Sequence, residues 1–373
     1  MKFRRKQDVL SSLEPRRILV IYGPRRVGKT TLLEAYLKTQ LDKRVYYSTG
    51  DDIELREIFK SESRAKILDL ARPYEIIALD EAQYIPSIGI GAKMMIDAFP
   101  DKKIILTGSS SLDLSNKIGE PLTGRHFTLT LLPISQIEMD GSRFELGGAL
   151  EDFLIYGFYP EVLDEPNKER KIKILAELVS SYLFKDALAL EAVRSPDTLL
   201  DVVKCLAFQI GGEVSINEIA RNAKTDAKTA ARYIDLLEKM FIVRKVRGFS
   251  RNLRNEISKK SKYYFLDNGI RNAVISQFNT LSLRNDIGAL WENFIFMELV
   301  KKSGIAGLAD NYYFWRTHIG QEIDIIKESD GKLIAMECKW SESSAAAPSA
   351  WLAAYPESSF KTIHRKNYMD FVL

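Results

Sequence analysis

The sequence predicts an α/β protein built on a parallel sheet. Short apolar runs alternate with helical patterns through residues 1–145, and a glycine-rich turn joins the first run to the first helix. The composition, 46% hydrophobic and 28% charged, is ordinary globular usage and excludes a disordered, collagenous or disulfide-scaffold chain. Strands separated by helices imply parallel crossovers with helices on both faces. A chain of 373 residues supports roughly two to four compact units, and the pattern divides at 1–145, 146–210, 211–268 and 269–373.

In the first segment, residues 17–22, 44–47, 75–79 and 103–106 read as short buried strands, and 30–38 has helical spacing. Residues 146–210 are helical, broken once at Gly157 and Pro160, with a long amphipathic run over 169–192; this is expected to be an all-helical connector. In 211–268 a short helix starts at Ser215, a turn falls near 222–225, and a second helix over 226–240 puts Ala230, Tyr233, Ile234 and Leu237 on one face. Strands follow at 241–246 and 262–266, which is the winged-helix order. The last segment, 269–373, offers a helix at 290–301 and strands at 312–316, 322–327 and 333–340. The latter two are joined by the hairpin signal Ser329-Asp330-Gly331.

Several classes fall away on residue usage. Cys205 and Cys338 form no Cys-x-x-Cys pair, and the histidines stand apart at 126, 318 and 364, so a zinc site is not expected and a reducing compartment is. The basic N-terminus lacks the apolar core of a signal peptide, and nowhere do about 18 apolar residues run together. A soluble, cytoplasmic protein without a membrane partner is expected. The formal charge of +4 is too small for bulk attraction to nucleic acid, so any such affinity has to come from local clusters.

Residues Gly23, Pro24, Arg25, Arg26, Val27, Gly28, Lys29 and Thr30 fit G-x-x-x-x-G-K-[ST], with a strand before and a helix beginning at Thr30 and Thr31. Glycines let backbone N–H groups wrap phosphates, Lys29 reaches the β and γ oxygens, and Thr30 offers its hydroxyl to Mg²⁺. The run 75–81 ends in Asp80 and Glu81, which suit the Mg²⁺ shell and the polarising of an attacking water; a solvated acid pair is the plain alternative. Thr107 or Ser109, ending the next strand, are candidate γ-phosphate sensors, unless they simply form a strand-to-loop turn. Arg125 is a candidate arginine finger or an ordinary surface arginine.

At the other end of the chain, Asp324 on one strand and Glu337 and Lys339 on the next project from a hairpin, with Glu337 and Lys339 on one face. Glu292, in the preceding helix, is a possible third acid. Carboxylates that hold a divalent ion and a lysine that stabilises the phosphorane are what metal-assisted phosphodiester cleavage needs. This Asp…Glu-x-Lys arrangement resembles the PD-(D/E)XK nuclease superfamily, which implies Glu292, Asp324 and Glu337 around Mg²⁺ or Mn²⁺; a solvated hairpin is the alternative. Between 244 and 262, eight Lys/Arg face one acid, Glu256, with Phe249 among them. With Lys224, Lys228 and Arg232 on the second helix, this suggests duplex DNA contact through Lys228, Arg232, Arg247, Arg251, Arg254, Lys259 and Lys260; a solvated or protein-facing surface is the alternative.

The phosphate loop, the Leu-Asp-Glu strand, the Thr-Gly-Ser strand, Gly124-Arg125 and Leu132-Pro133-Ile134-Ser135 together resemble the AAA+ class, specifically prokaryotic ATPases joined to a C-terminal domain of uncharacterised function. Residues 156–160, Tyr182, Asp186, 263–267 and 288–294 extend the resemblance over nearly the whole chain. It implies a P-loop NTPase sheet, a helical connector, a winged helix and a C-terminal α/β nuclease-like domain, with ATP and Mg²⁺ as cofactors. The expected function is an ATP-hydrolysing module coupled to a DNA-directed half, with metal-dependent cleavage as a further activity. Two rivals stand beside it: an ATP-gated protein-interaction switch whose nuclease-like domain is inactive, and a ring-forming homo-oligomer using Arg125.

Overall fold

A computed structural model of the chain describes residues 2–108, 121–181, 195–250 and 260–373. The chain divides into two compact units, one of Arg5–Leu132 with Lys239–Phe241 and one of the residues up to Arg4, Pro133–Glu238 and Ile242–Leu373. Among the described residues no helix is long and apolar enough to cross a membrane.

The first unit is a parallel sheet of β1 (Ile18–Tyr22), β2 (Val45–Thr49), β3 (Ile76–Asp80), β4 (Lys103–Gly108) and β5 (His126–Thr130), in the order β2-β3-β4-β1-β5. Every residue of β1 and β3 is buried, as continuous apolar runs require when helices cover both faces. Val20 pairs with Leu106 and Ile77 with Ile104, and Phe59, Ile67, Ile88 and Met95 from three flanking helices close one face. Parallel strands joined by crossovers bring their carboxyl ends to one edge, so the residues after Tyr22, Asp80 and Thr107 meet there. The alternating pattern expected in the sequence is this sheet; β5, half exposed and only partly apolar, is a strand that the pattern did not announce.

The second unit carries a seven-stranded sheet of β6 (Glu213–Val214), β7 (Val243–Gly248), β8 (Ser261–Phe265), β9 (Asn311–Arg316), β10 (Glu322–Ser329), β11 (Lys332–Cys338) and β12 (Ser359–Ile363). Its order is β12-β11-β10-β9-β7-β8-β6. The strands of 211–268 and of 269–373 therefore lie in one sheet, joined by a short parallel pairing of Arg247 with Tyr313 and Gly248 with Phe314. The helices Ile216–Asn222 and Ala227–Lys239 precede the antiparallel pair β7 and β8, and Ala230, Tyr233, Ile234 and Leu237 are buried on the face the periodicity expects. Asp330 and Gly331 both take positive φ, so the β10–β11 hairpin closes in a type I′ turn. The helix Lys168–Ser180 occupies the front of the expected amphipathic run; Tyr182 and Asp186 lie outside the described residues.

The helix Ile287–Ile305 is buried on nearly all sides, and its polar residues are each met by a partner. Asn293 exchanges two hydrogen bonds with the backbone of Phe265, and Glu298 accepts from Ser135 Oγ and Gln136 N while pairing with Lys301 at 2.9 Å. Beside its start, Asp286 takes Arg271 and, at 2.8 Å, Arg284 Nε, two arginines withdrawn from water. Burial acts to raise the Asp286 carboxyl, but the hydrogen bonds from Arg284 and Arg271 outweigh it and hold it below the ordinary carboxylate range. A depressed carboxyl stabilises the fold above its unfolded pKa, near 4, and loses that contribution as pH falls through the lower folded value. Asp286→Asn should therefore cost about 3 kcal/mol in urea unfolding at pH 7, the scale for breaking a buried pair. The gap from wild type should narrow towards pH 3; equal unfolding midpoints at pH 7 would show that the pair contributes nothing.

Candidate functional site

The nucleotide site grows out of the end of β1. Gly23 stands so close to Leu131 that a Cβ would lie 2.0 Å from its carbonyl oxygen, and Gly28 has φ +91° at the start of the helix Lys29–Leu37. Both positions need glycine, the first by space and the second by backbone conformation. Pro24 and Val27 are buried, Arg26 takes positive φ, and Thr31 is exposed on the helix. Arg5 donates to the carbonyls of Val27 and Leu132, and Arg25 donates to Tyr84 OH at 3.2 Å, so both sides of the loop are anchored. Lys29 is buried and its ammonium donates to the carbonyls of Gly23 (3.1 Å) and Pro24 (2.8 Å), inside the loop where phosphate oxygens are expected.

Asp80 is likewise buried at the end of β3. Thr30 Oγ1 donates to its Oδ2 at 2.7 Å, and Thr107 Oγ1 donates to its Oδ1. Thr107 also accepts from Glu81 N at 3.1 Å. Thr107 thus ties the Asp80 carboxylate to the Glu81 backbone, at the strand end where the sequence places a γ-phosphate sensor. Glu81 follows with φ +48°, a strained conformation for a non-glycine residue, and its carboxylate accepts from Gln83. β4 lies between β1 and β3, which is how residues fifty positions apart in sequence, Thr30 and Asp80, come within one hydrogen bond. The loop, the ammonium and the Thr30–Asp80 pair fit a nucleotide with Mg²⁺: Lys29 would hold phosphate, and Thr30 and Asp80 the ion.

Arg125 is not brought to this site. Its carbonyl accepts from Ile18 N at the opposite end of β1, about 13 Å of strand from the loop, and its guanidinium pairs with Asp97 at 2.8 Å. It cannot serve the nucleotide of its own chain. Ser109 lies outside the described residues.

The second unit gathers the C-terminal acids. A register irregularity where β10 meets β9 spans Asp324 and Ile325, between Ile323 and Ile326; bulges of this kind re-aim side chains. Asp324 Oδ2 accepts from Cys338 N at 2.8 Å, and Lys339 pairs with Glu337 at 2.7 Å. Burial, then the Glu292 and Glu337 carboxylates, push Asp324 up to about 8. Glu292 accepts from Tyr264 OH and pairs with Lys262 at 3.2 Å; Lys262 also pairs with Glu322 at 2.8 Å. Burial alone would lower Lys262, but Glu292, Asp324 and Glu322 more than offset it and raise its pKa.

A second metal at Glu292, Asp324 and Glu337 is not shown by this arrangement. Glu292, Asp324 and Glu337 influence one another electrostatically, yet among the described residues no three His, Cys, Asp or Glu side chains form a metal shell. One oxygen of each acid already has a donor: Glu292 Oε1 meets Lys262 and Tyr264, Glu337 Oε1 meets Lys339, and Asp324 Oδ2 meets the Cys338 amide, a set built of ammonium, hydroxyl and amide partners. Lys262, Tyr264 and Glu322 were missed as members of this group. The available signal was period-two alternation, which puts Lys262 on the same side of β8 as Tyr264.

The basic stretch also divides. Lys228 and Arg232 are exposed one turn apart on the helix, Lys224 is exposed in the turn before it and not on the helix as expected, and Lys245, Arg247 and Lys260 are exposed, whereas Lys262 is 1% exposed and Phe249 packs with Trp315 and Trp351 in the core. Lys262 and Phe249 are therefore not surface contacts, because the strand ends carry them into the sheet. Arg251, Arg254 and Lys259 lie outside the described residues.

Residues 15–139 match an AAA domain. The phosphate loop and Asp80 are thus part of an AAA-type P-loop domain, whose family supports ATP binding. Residues 147–281 and 287–364 match two domains of unknown function, DUF8612 and DUF4143. An uncharacterised protein of Mycobacterium tuberculosis is 27% identical over 330 residues, covering 86% of this chain and 70% of that one. Another, from Methanocaldococcus jannaschii, is 24% identical over 352 residues, covering 89% and 77%. Among solved structures, Drosophila ORC bound to DNA is similar over 73% of this chain and 92% of that chain, at 13% identity and a TM-score of 0.24, too low to carry an argument.

Removing the ammonium from the loop tests the assignment directly. Lys29→Ala should weaken ATP binding by about 12- to 150-fold, the range of a charged hydrogen bond lost from a phosphate. Isothermal titration giving wild-type affinity would remove Lys29 from the site.

Proposed function

We propose that the chain hydrolyses ATP in its first unit and uses the cycle to control a DNA-directed second unit. The observation that carries this reading is the juxtaposition of Lys29, Thr30, Asp80, Thr107 and Glu81 at the carboxyl edge of one parallel sheet. Lys29 binds and orients the phosphates, Thr107 holds Asp80 and the Glu81 backbone in place, and the Glu81 carboxylate takes the proton of the attacking water. Mg²⁺, when bound, supplies charge neutralisation at the phosphate oxygens.

The DNA-directed part rests on the helix–turn–helix and hairpin of 211–268, a winged helix in this reading. The exposed Lys228 and Arg232 lie along one side of the second helix, Lys224 lies in the turn before it, and Arg247 and Lys260 lie on the hairpin strands or beside them. Backbone phosphate contact needs such cations free of the core. Residues 269–373 form the nuclease-like part of this reading. A second reading, an ATP-gated switch whose nuclease-like part is inert, is favoured by the lysines that already occupy the C-terminal carboxylates.

Two measurements test the proposal. Glu81→Gln should retain ATP binding and slow hydrolysis at least about 100-fold, the lower range for losing a general base; wild-type turnover would remove Glu81 from catalysis. Duplex affinity should fall with salt at a log–log slope of about −0.9 per phosphate contact, and neutralising Lys228, Arg232 and Arg247 together should flatten it by about 2–3. An unchanged slope would place these residues on a solvated or protein-facing surface.

A further inference from the structure

The acids of the second unit converge from three elements: Glu292 from the helix Ile287–Ile305, Glu322 and Asp324 from β10, and Glu337 from β11. Carboxylates brought together repel one another, and a divalent ion is the usual remedy. Here lysines already supply the positive charge. Lys262 lies on β8, which is paired on one side with β7 and on the other with β6, so its backbone is held in the sheet. Its ammonium is buried, 3.2 Å from Glu292 Oε1 and 2.8 Å from Glu322 Oε1, with the Phe314 ring 5.5 Å away. Lys339 takes Glu337, Tyr264 OH adds a second donor to Glu292 Oε1, and the Cys338 amide takes Asp324.

We propose that Lys262 is the resident cation of this cluster, standing where a divalent ion would otherwise be held, so that the native chain takes up neither Mg²⁺ nor Mn²⁺ there. An ammonium is a compact point charge with three donors, able to satisfy several carboxylates at once. A divalent ion entering beside it would meet like charge at short range in a poorly screened interior. It would also compete with Lys262 and Tyr264 for Glu292 Oε1 and with the Cys338 amide for Asp324 Oδ2. The inference deepens the second reading above, because it says why the cluster is inert, and it does not depend on whether the helix–turn–helix touches DNA.

The test uses the full chain without nucleotide, with Asp80→Asn in every protein so that the nucleotide site contributes nothing, and follows free Mn²⁺ by electron paramagnetic resonance. The parent should show no saturable site below about 1 mM, whereas Lys262→Met should gain one that is at least roughly 20-fold tighter and is lost again on adding Asp324→Asn. Should Lys262→Met alone fail to fold, Lys262→Met with Glu322→Gln removes one of the two acids left unpaired and carries the same expectation. A parent that binds Mn²⁺ through Asp324, or a folded lysine variant that binds no better than the parent, overturns the proposal. Duplex affinity measured on the same proteins separates this result from the DNA reading, whose failure would leave the Mn²⁺ pattern unchanged.

Discussion

Charge withdrawn from water has to be met inside the protein, and in both units this constraint decides how the polar residues are arranged. An unpaired buried ion costs several kcal/mol, and among the described residues the buried charges named here each have a partner. Lys29 lies on two loop carbonyls, Asp80 between two threonine hydroxyls, Glu298 on Lys301 and a backbone amide, and Asp286 between two arginines. The apolar strands and helices provide the burial that makes this pairing obligatory.

The two acidic sites satisfy the constraint differently, and the difference bears on function. Asp80 is met by neutral hydroxyls, each of which carries lone pairs as well as a proton and can turn to face a cation. Such an acid can exchange its partners for an ion bound with nucleotide. Glu292 and Glu322 are met by a full positive charge on a strand within the sheet. That charge cannot reverse its sign, so Glu292 and Glu322 are met from within, while Asp324 still feels the Glu292 and Glu337 carboxylates. A motif of acids and lysine at the right spacing is thus compatible with an inert site.

Much of the first unit was legible because continuous apolar runs bounded by a glycine-rich turn leave few alternatives to buried parallel strands. The P-loop was legible residue by residue, since glycine, lysine and threonine each do a job no other residue does as well. β5 was not, because a half-exposed edge strand carries little apolar signal. In the second unit the helix Ala227–Lys239 and the β10–β11 hairpin announced themselves through period and turn chemistry. Lys262 was misread as part of a basic surface, since charge counting along a sequence is blind to which side of a strand a residue takes.

By itself the sequence determined the alternation that makes a parallel α/β sheet, the phosphate loop, and the acids that end β3, because these depend on local spacing and residue type. Only the tertiary structure decided which charges meet. It placed β4 between β1 and β3 and so brought the Thr107 hydroxyl to Asp80, and it set Arg125 at the far end of the sheet. It also carried Lys262 from a run of basic residues into the C-terminal carboxylates, whose partners come from three separate elements. The physical reason is that electrostatic partnership depends on distance in space and on burial, and neither is a property of neighbouring positions in a chain.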